Sequence, residues 1–215
     1  MTNEMTMTEI LAVPDSKRDQ SWENKFFQAL MLANLKLHSA EAQTGPDNWP
    51  YLLADIDETG TESSQKILTW LAEKGIGLAL NPMKEYPDYV FSYGMIWSFK
   101  ETGYFYKPIS TKESGVVQFD IGSLVHAGSP TEQYLPTYVK KVIKEFFRDQ
   151  GILAPKILLI STDKINYDLA ISLESLGEPP DEEHQGIAEA ISWFLPPHYS
   201  IVLVSEKGLP AFVNL

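Results

Sequence analysis

The first apolar pattern along the chain has a helical beat. After Ser21, residues Phe26, Phe27, Leu30 and Met31 fall on one face of the segment WENKFFQALMLAN, which predicts an amphipathic helix. Tyr51 to Ile56 form a short apolar run suited to a buried strand, and Asp57, Glu58, Thr59 and Gly60 supply turn chemistry behind it. Ile67, Leu68 and Leu71 give SSQKILTWLAEKG a helical stripe that Gly75 ends. Ile76 to Leu80 then read as a second buried strand, stopped at Asn81-Pro82 because proline cannot donate to a ladder. Residues 20–107 are therefore expected to form a small α/β domain behind a flexible N-terminus, residues 1–19.

Between Tyr86 and Tyr106 nine of 21 residues are aromatic, against 12% overall. Such density means packing in a core or docking to a partner. If docking, the protein-binding residues are Tyr89, Phe91, Tyr93, Trp97 and Tyr104. Lys107 to Gly115 loses hydrophobicity and gains Ser, Thr and Lys, as an exposed linker does, which puts a domain boundary at 107/108.

Beyond it Val116 to Ile121 reads as a strand, and Thr137 to Asp149 as a helix whose apolar stripe is supplied by Tyr138, Val142, Phe146 and by Val139, Ile143, Phe147, stopped at Gly151. Lys156 to Ser161 is a further strand. After the turn-like Thr162-Asp163-Lys164, Ile165, Tyr167, Leu169, Ile171 and Leu173 alternate with polar or small residues, which predicts a half-solvated strand paired in a hairpin. A helix bearing Ile187, Ile191 and Phe194 ends at Pro196-Pro197, and Ser200 to Ser205 supply the last strand. The fold class is α+β, with residues 108–215 a β-α-β-β-α-β domain of ferredoxin-like, split-βαβ type.

Composition narrows the partners. The 215 residues carry 17 basic and 29 acidic side chains, a formal net charge of −12, which repels phosphate backbones and anionic lipid. Neither nucleic acid nor a membrane surface is expected as a partner. The absence of cysteine removes disulfides, thiolate nucleophiles and cysteine-type zinc sites together. No apolar run approaches a spanning helix and the first residues lack a basic, then apolar, leader, so a cytoplasmic protein is expected.

The sharpest candidate for chemistry is YLLADIDET, where a strand delivers Asp55 and Asp57 two residues apart at its end. This resembles the DxDxT signature of haloacid dehalogenase-type phosphohydrolases. The resemblance implies Asp55 as nucleophile, Asp57 as general acid and base, and magnesium held with later acidic residues, for which Asp163 and Asp168 are the candidates. Two features weaken the match: the second strand runs into Asn81 rather than Ser or Thr, and no single lysine stands out among Lys140, Lys141, Lys144 and Lys156. A hairpin over 156–173 would also make Asp163 a turn residue. The preferred reading gives Asp55 and Asp57 a plain role, ending a strand and starting a helix, since acidic turn residues far outnumber catalytic pairs. Histidines 38, 126, 184 and 198 show no metal-ligand spacing, and no GxSxG, P-loop or GxGxxG occurs.

FFQALMLANLKL followed by a strand, a helix and GLALNP resembles the N-terminal domain of the SseB, or enhanced serine sensitivity, family. YVKKVIKEFF, the pair KILLIS and INYDLAISL, and GIAEAISWFLPPHYSIVLV are similar to that family's C-terminal domain. The resemblance covers residues 20–210. It implies a non-enzymatic α/β module of poorly defined role, with no catalytic residue to carry over. The edges of a small antiparallel sheet and the aromatic cluster make binding to another protein, without a cofactor, the leading expectation. An acidic immunity- or antitoxin-like protein with a basic partner is a third reading.

Overall fold

A computed structural model describes residues 5–57, 59–107 and 126–215. The chain divides into two compact units, Met1–Ile96 and Trp97–Leu215, and the line between them falls within a helix rather than at 107/108. The architecture is mixed α+β, with a sheet in each unit. No helix among the described residues is long and apolar enough to cross a membrane.

The first unit begins sooner than the sequence suggests. Thr6 and Glu9 form a capping box that starts helix α1 (Met7–Leu11), and Ile10 is buried, so the described part of the expected flexible N-terminus is folded. Asp19 then accepts a hydrogen bond from the Trp22 N–H at 2.9 Å, starting α2 (Gln20–Leu30), whose Trp22, Phe26 and Leu30 recur every fourth residue and are buried. The strands are β1 (Asn34–Leu37), β2 (Gln43–Thr44), β3 (Pro50–Ile56), β4 (Glu62–Ser63), β5 (Gly77–Leu80) and β6 (Tyr89–Phe91). Helix α3 (Ser64–Leu71) connects β4 to β5, buries Ile67, Leu68 and Leu71, and meets α2 through the Ser64 hydroxyl, which donates to Leu30 O at 2.5 Å.

The sheet order is β4-β1-β3-β5-β6, with β2 also on β3; β3 and β5 are parallel and the other pairs antiparallel. Residues directly opposite share a face. One face thus holds Leu52, Ala54, Leu78, Leu80, Tyr89 and Phe91, and the rings of Phe26 and Phe27 pack on the last two. The other carries Lys36, Tyr51, Leu53 and Asp55, with Gly77, Ala79 and Val90.

Helix α4 (Tyr93–Thr102) follows β6 and holds Tyr93, Trp97 and Phe99 of the aromatic stretch. The second unit then contains β7 (His126–Gly128), α5 (Thr137–Asp149), β8 (Lys156–Ser161), β9 (Asp168–Ser172), α6 (Asp181–Ser192), β10 (Ser200–Val204) and β11 (Val213–Asn214). Of the two apolar rows expected on α5, Val139, Ile143 and Phe147 are buried, while Tyr138, Val142 and Phe146 are half-buried at the edge of that face. β8 and β9 pair antiparallel, as the alternation predicts, but Leu169 to Ser172 are buried on both faces. The two-residue beat therefore separates large from small side chains, not dry from wet ones.

The strand order is β10-β9-β8-β11, with β7 also on β8. β9 and β10 are parallel and direct neighbours joined through α6, where a split βαβ unit would set a strand between them. The expected strand at 116–121 lies outside the described residues.

Candidate functional site

Of the five aromatic residues expected to form a docking patch, Phe91, Tyr93 and Trp97 are instead core residues. Their polar atoms are satisfied inward: the Tyr93 hydroxyl donates to Ala72 O at 2.8 Å and the Trp97 indole N–H to Phe194 O at 2.8 Å. Burial pushes the Tyr93 hydroxyl well above the usual phenol range, with a further push from the Glu73 carboxylate. Tyr89 is half-buried, its ring against Trp22, Phe26 and Phe27 and its hydroxyl donating to Glu23. Only Tyr104 is largely exposed, at 66%. The aromatic density is a packing signal, because a three-residue strand and a helix must fill their cores with few side chains.

Asp55 and Asp57 do stand at the carboxyl end of β3. There the Asp55 carboxylate pairs with His38 Nε2 at 2.8 Å, one strand over. Asp57 accepts the Thr59 N–H at 2.7 Å in an Asx turn, with Gly60 N–H donating to Asp57 O, and the hydrogen bonds from the Thr59 backbone and side chain hold the Asp57 carboxyl below the usual range. Asp163 sits in the second unit as the organiser of the β8–β9 turn. Its Oδ1 accepts the N–H groups of Ile165 and Asn166, each at 2.7 Å, which lowers its pKa to about 2. Asp168 opens β9 opposite Ile160 and Ser200. Among the described residues no three His, Asp or Glu side chains gather as a metal ion would require.

What the sequence did not single out is the structure beside Asp57. Asn81 closes β5 in the left-handed region, with φ 50°, and its N–H donates to Ala54 O at 2.8 Å, adding one rung to the parallel pair. Its side chain then does two jobs: Oδ1 accepts the Ile56 N–H at 2.9 Å and Nδ2 donates to Asp88 Oδ2 at 2.7 Å.

Asp88, with only 3% of its side chain exposed, is the hub of the β5–β6 loop. Arg18 reaches Asp88 Oδ1 at 2.9 Å and Asp88 O at 3.1 Å, while also donating to Leu11 O and Val13 O and stacking on the Trp22 ring. Lys84 pairs with the second carboxylate oxygen. Burial pushes the Asp88 carboxyl up, and the hydrogen bonds from Lys84, Asn81 and Arg18 together outweigh it, so it titrates below the usual carboxylate range. The base of loop 81–88 is thereby locked to α1, α2 and β3. Its tip is the reverse: Met83 is 81% and Tyr86 69% exposed. Comparison with protein-family models, curated proteins and solved structures returns no match to this chain.

Proposed function

We propose that this chain is a protein-interaction module of the SseB-like kind, whose docking element is the β5–β6 loop. One observation carries the reading: a loop fastened at its base by a buried polar network holds two large apolar side chains, Met83 and Tyr86, out in water. Apolar side chains exposed singly are ordinary; a pair three positions apart on a fastened loop has already met much of the ordering cost of binding. Tyrosine is also among the residues that most often dominate binding energy. The docking surface thus moves from the sequence-derived set, Tyr89 to Tyr104, to the turn just before it.

A photoreactive amino acid placed at Met83 or Tyr86 tests this, with Leu153, 83% exposed in the other unit, as the control position. The expected outcome is a discrete covalent adduct from the two loop positions and none from 153. The same adducts at the same yield from all three would sink the proposal.

The rival reading is a magnesium-dependent phosphohydrolase using Asp55 and Asp57, supported by the placement of both carboxylates at the carboxyl end of a strand with a parallel neighbour. Turnover of a phosphomonoester panel with magnesium, abolished in Asp55→Asn, would put it first. Against it, Asp55 is engaged by His38 and Asp163 by its own turn.

A further inference from the structure

Strand β10 closes one end of its sheet, with β9 on one side only. Among the described residues it is the longest strand so placed, five residues against two or three for β4, β6, β7 and β11. Such edges are ordinarily guarded by a charge, a proline, a bulge or brevity. The segment SIVLV has none of these, and Ile201 to Val204 are only half-buried. The chain after it leaves the edge clear: Glu206 turns back over the sheet to Lys156 Nζ at 3.1 Å and Ser172 Oγ at 2.6 Å, and Leu209 and Phe212 pack on the Leu158, Ile160 and Ala170 cluster. The ladder also says which backbone groups are left over. Val204 O accepts the Leu173 N–H at 3.0 Å, so Val204 and, by alternation, Val202 and Ser200 aim their backbone groups at β9. Those of Ile201 and Leu203 aim the other way, where no described residue meets them.

We propose that this edge takes the same edge of a second copy of the chain, antiparallel, about a two-fold axis at Val202. That register sets Ile201 opposite Leu203 of the second copy as a hydrogen-bonded pair, and symmetry repeats it, so every outward N–H and C=O of the two residues finds a partner. Val202 then faces its own counterpart at a non-hydrogen-bonded position, where side chains come closest, and Ile201 packs against Leu203 on the other face. A second copy suits the edge because its outward groups are symmetric about Val202 and its apolar rows match themselves. Charge permits the pairing although each chain carries −12, since SIVLV brings no ionised group into it. The strand ends that meet carry Glu206 and Lys207 on one copy and His198 on the other, so no carboxylate is set against a carboxylate. Two five-residue strands bury less than the roughly 1,200 Å² of a standard interface, so the dimer forms and separates with concentration.

The chain has no cysteine, so a single introduced one can bridge only between copies. Val202→Cys, with its Cα about 4.5 Å from its mate across the axis, meets disulfide geometry and should oxidise to a covalent dimer. Ser200→Cys, at a more exposed position but about 13 Å along the strand from its mate, should give less than about a tenth as much. Both variants are first verified as folded by circular dichroism. Sedimentation equilibrium of the unmodified full chain, in about 300 mM sodium chloride to screen the repulsion between copies, should show a mass rising from 24.2 kDa toward twice that between about 1 and about 200 μM. A chain that stays monomeric throughout would overturn the proposal and leave the edge to a strand of another protein. Equal cross-linking at 200 and 202 would overturn it too, since random collision favours the more exposed position and only the two-fold register favours Val202.

Discussion

At the scale of single residues, two glycines make opposite predictions. Gly77 lies opposite Tyr51 in the parallel pair, and a Cβ added there would stand 2.5 Å from the Tyr51 ring and 2.7 Å from Phe91 O. The ring has little room to retreat, because its hydroxyl is bonded to Asp47 at 2.6 Å, and the carbonyl belongs to the ladder. Gly77→Ala is expected to cost about 1–3 kcal/mol through overpacking. Gly186 stands within α6 with nothing within 4 Å of the same added atom. There alanine only removes freedom from the unfolded chain, so Gly186→Ala should stabilise by about 0.5–1 kcal/mol, a rise of roughly 1–4 °C in Tm. Thermal melts of the two variants should move in opposite directions; a common direction would mean the local packing is misread. Tyr134 adds a third case. Its hydroxyl is buried without a partner, whereas Tyr199, stacked on it, donates to Tyr134 O at 2.7 Å. Tyr134→Phe should be neutral or stabilising and Tyr199→Phe should lose about 1 kcal/mol in the same melts.

At the scale of elements, the best-read parts are those whose burial follows one period. α2, β3, α3, β5, α5 and β8 all stand where apolar spacing put them. β1 escaped because NLKL continues the apolar run of α2 after only Met31 to Ala33, so its own alternation of Leu35 and Leu37 is masked. β2, β4 and β11 have two residues each, too few to show any period. α4 was hidden by its aromatic content, which blurs the contrast between its faces. The loop network could not be read at all, since Arg18 and Asp88 are 70 positions apart and only the fold joins them. That network has a pH signature. The Asp88 pKa is depressed on folding, so its stabilising effect is complete above the unfolded carboxyl value and is lost as pH falls through the folded one. Chemical denaturation between about pH 6 and 3 should show stability falling at the acid end, with a shallower fall in Asp88→Asn. Asp88→Ala at neutral pH should cost about 3–5 kcal/mol, because the largely buried Arg18 head loses its buried counter-charge and keeps only the exposed Asp15. Equal acid slopes in the wild type and Asp88→Asn would remove Asp88 from the account.

For the whole molecule, the decisive quantity is the excess of carboxylates. Twenty-nine acidic side chains against 17 basic ones leave long-range repulsion that acts on the folded chain more than on the expanded one. The close ion pairs could oppose this, but the strongest of them, Arg18 with Asp88, is buried and so little affected by dissolved ions, while Lys156 with Glu206 is partly exposed and worth little in water. Added sodium chloride therefore weakens the repulsion more than it weakens the attractions. The melting temperature should rise between about 20 and 300 mM salt and then level off once the screening length falls below the spacing of surface charges. Arg18→Met should melt lower at every salt concentration, keeping the same upward trend, since it removes a short-range bond and leaves the long-range field in place. A melting temperature that fell with salt would mean that local ion pairs, not net charge, govern this protein's response to its medium.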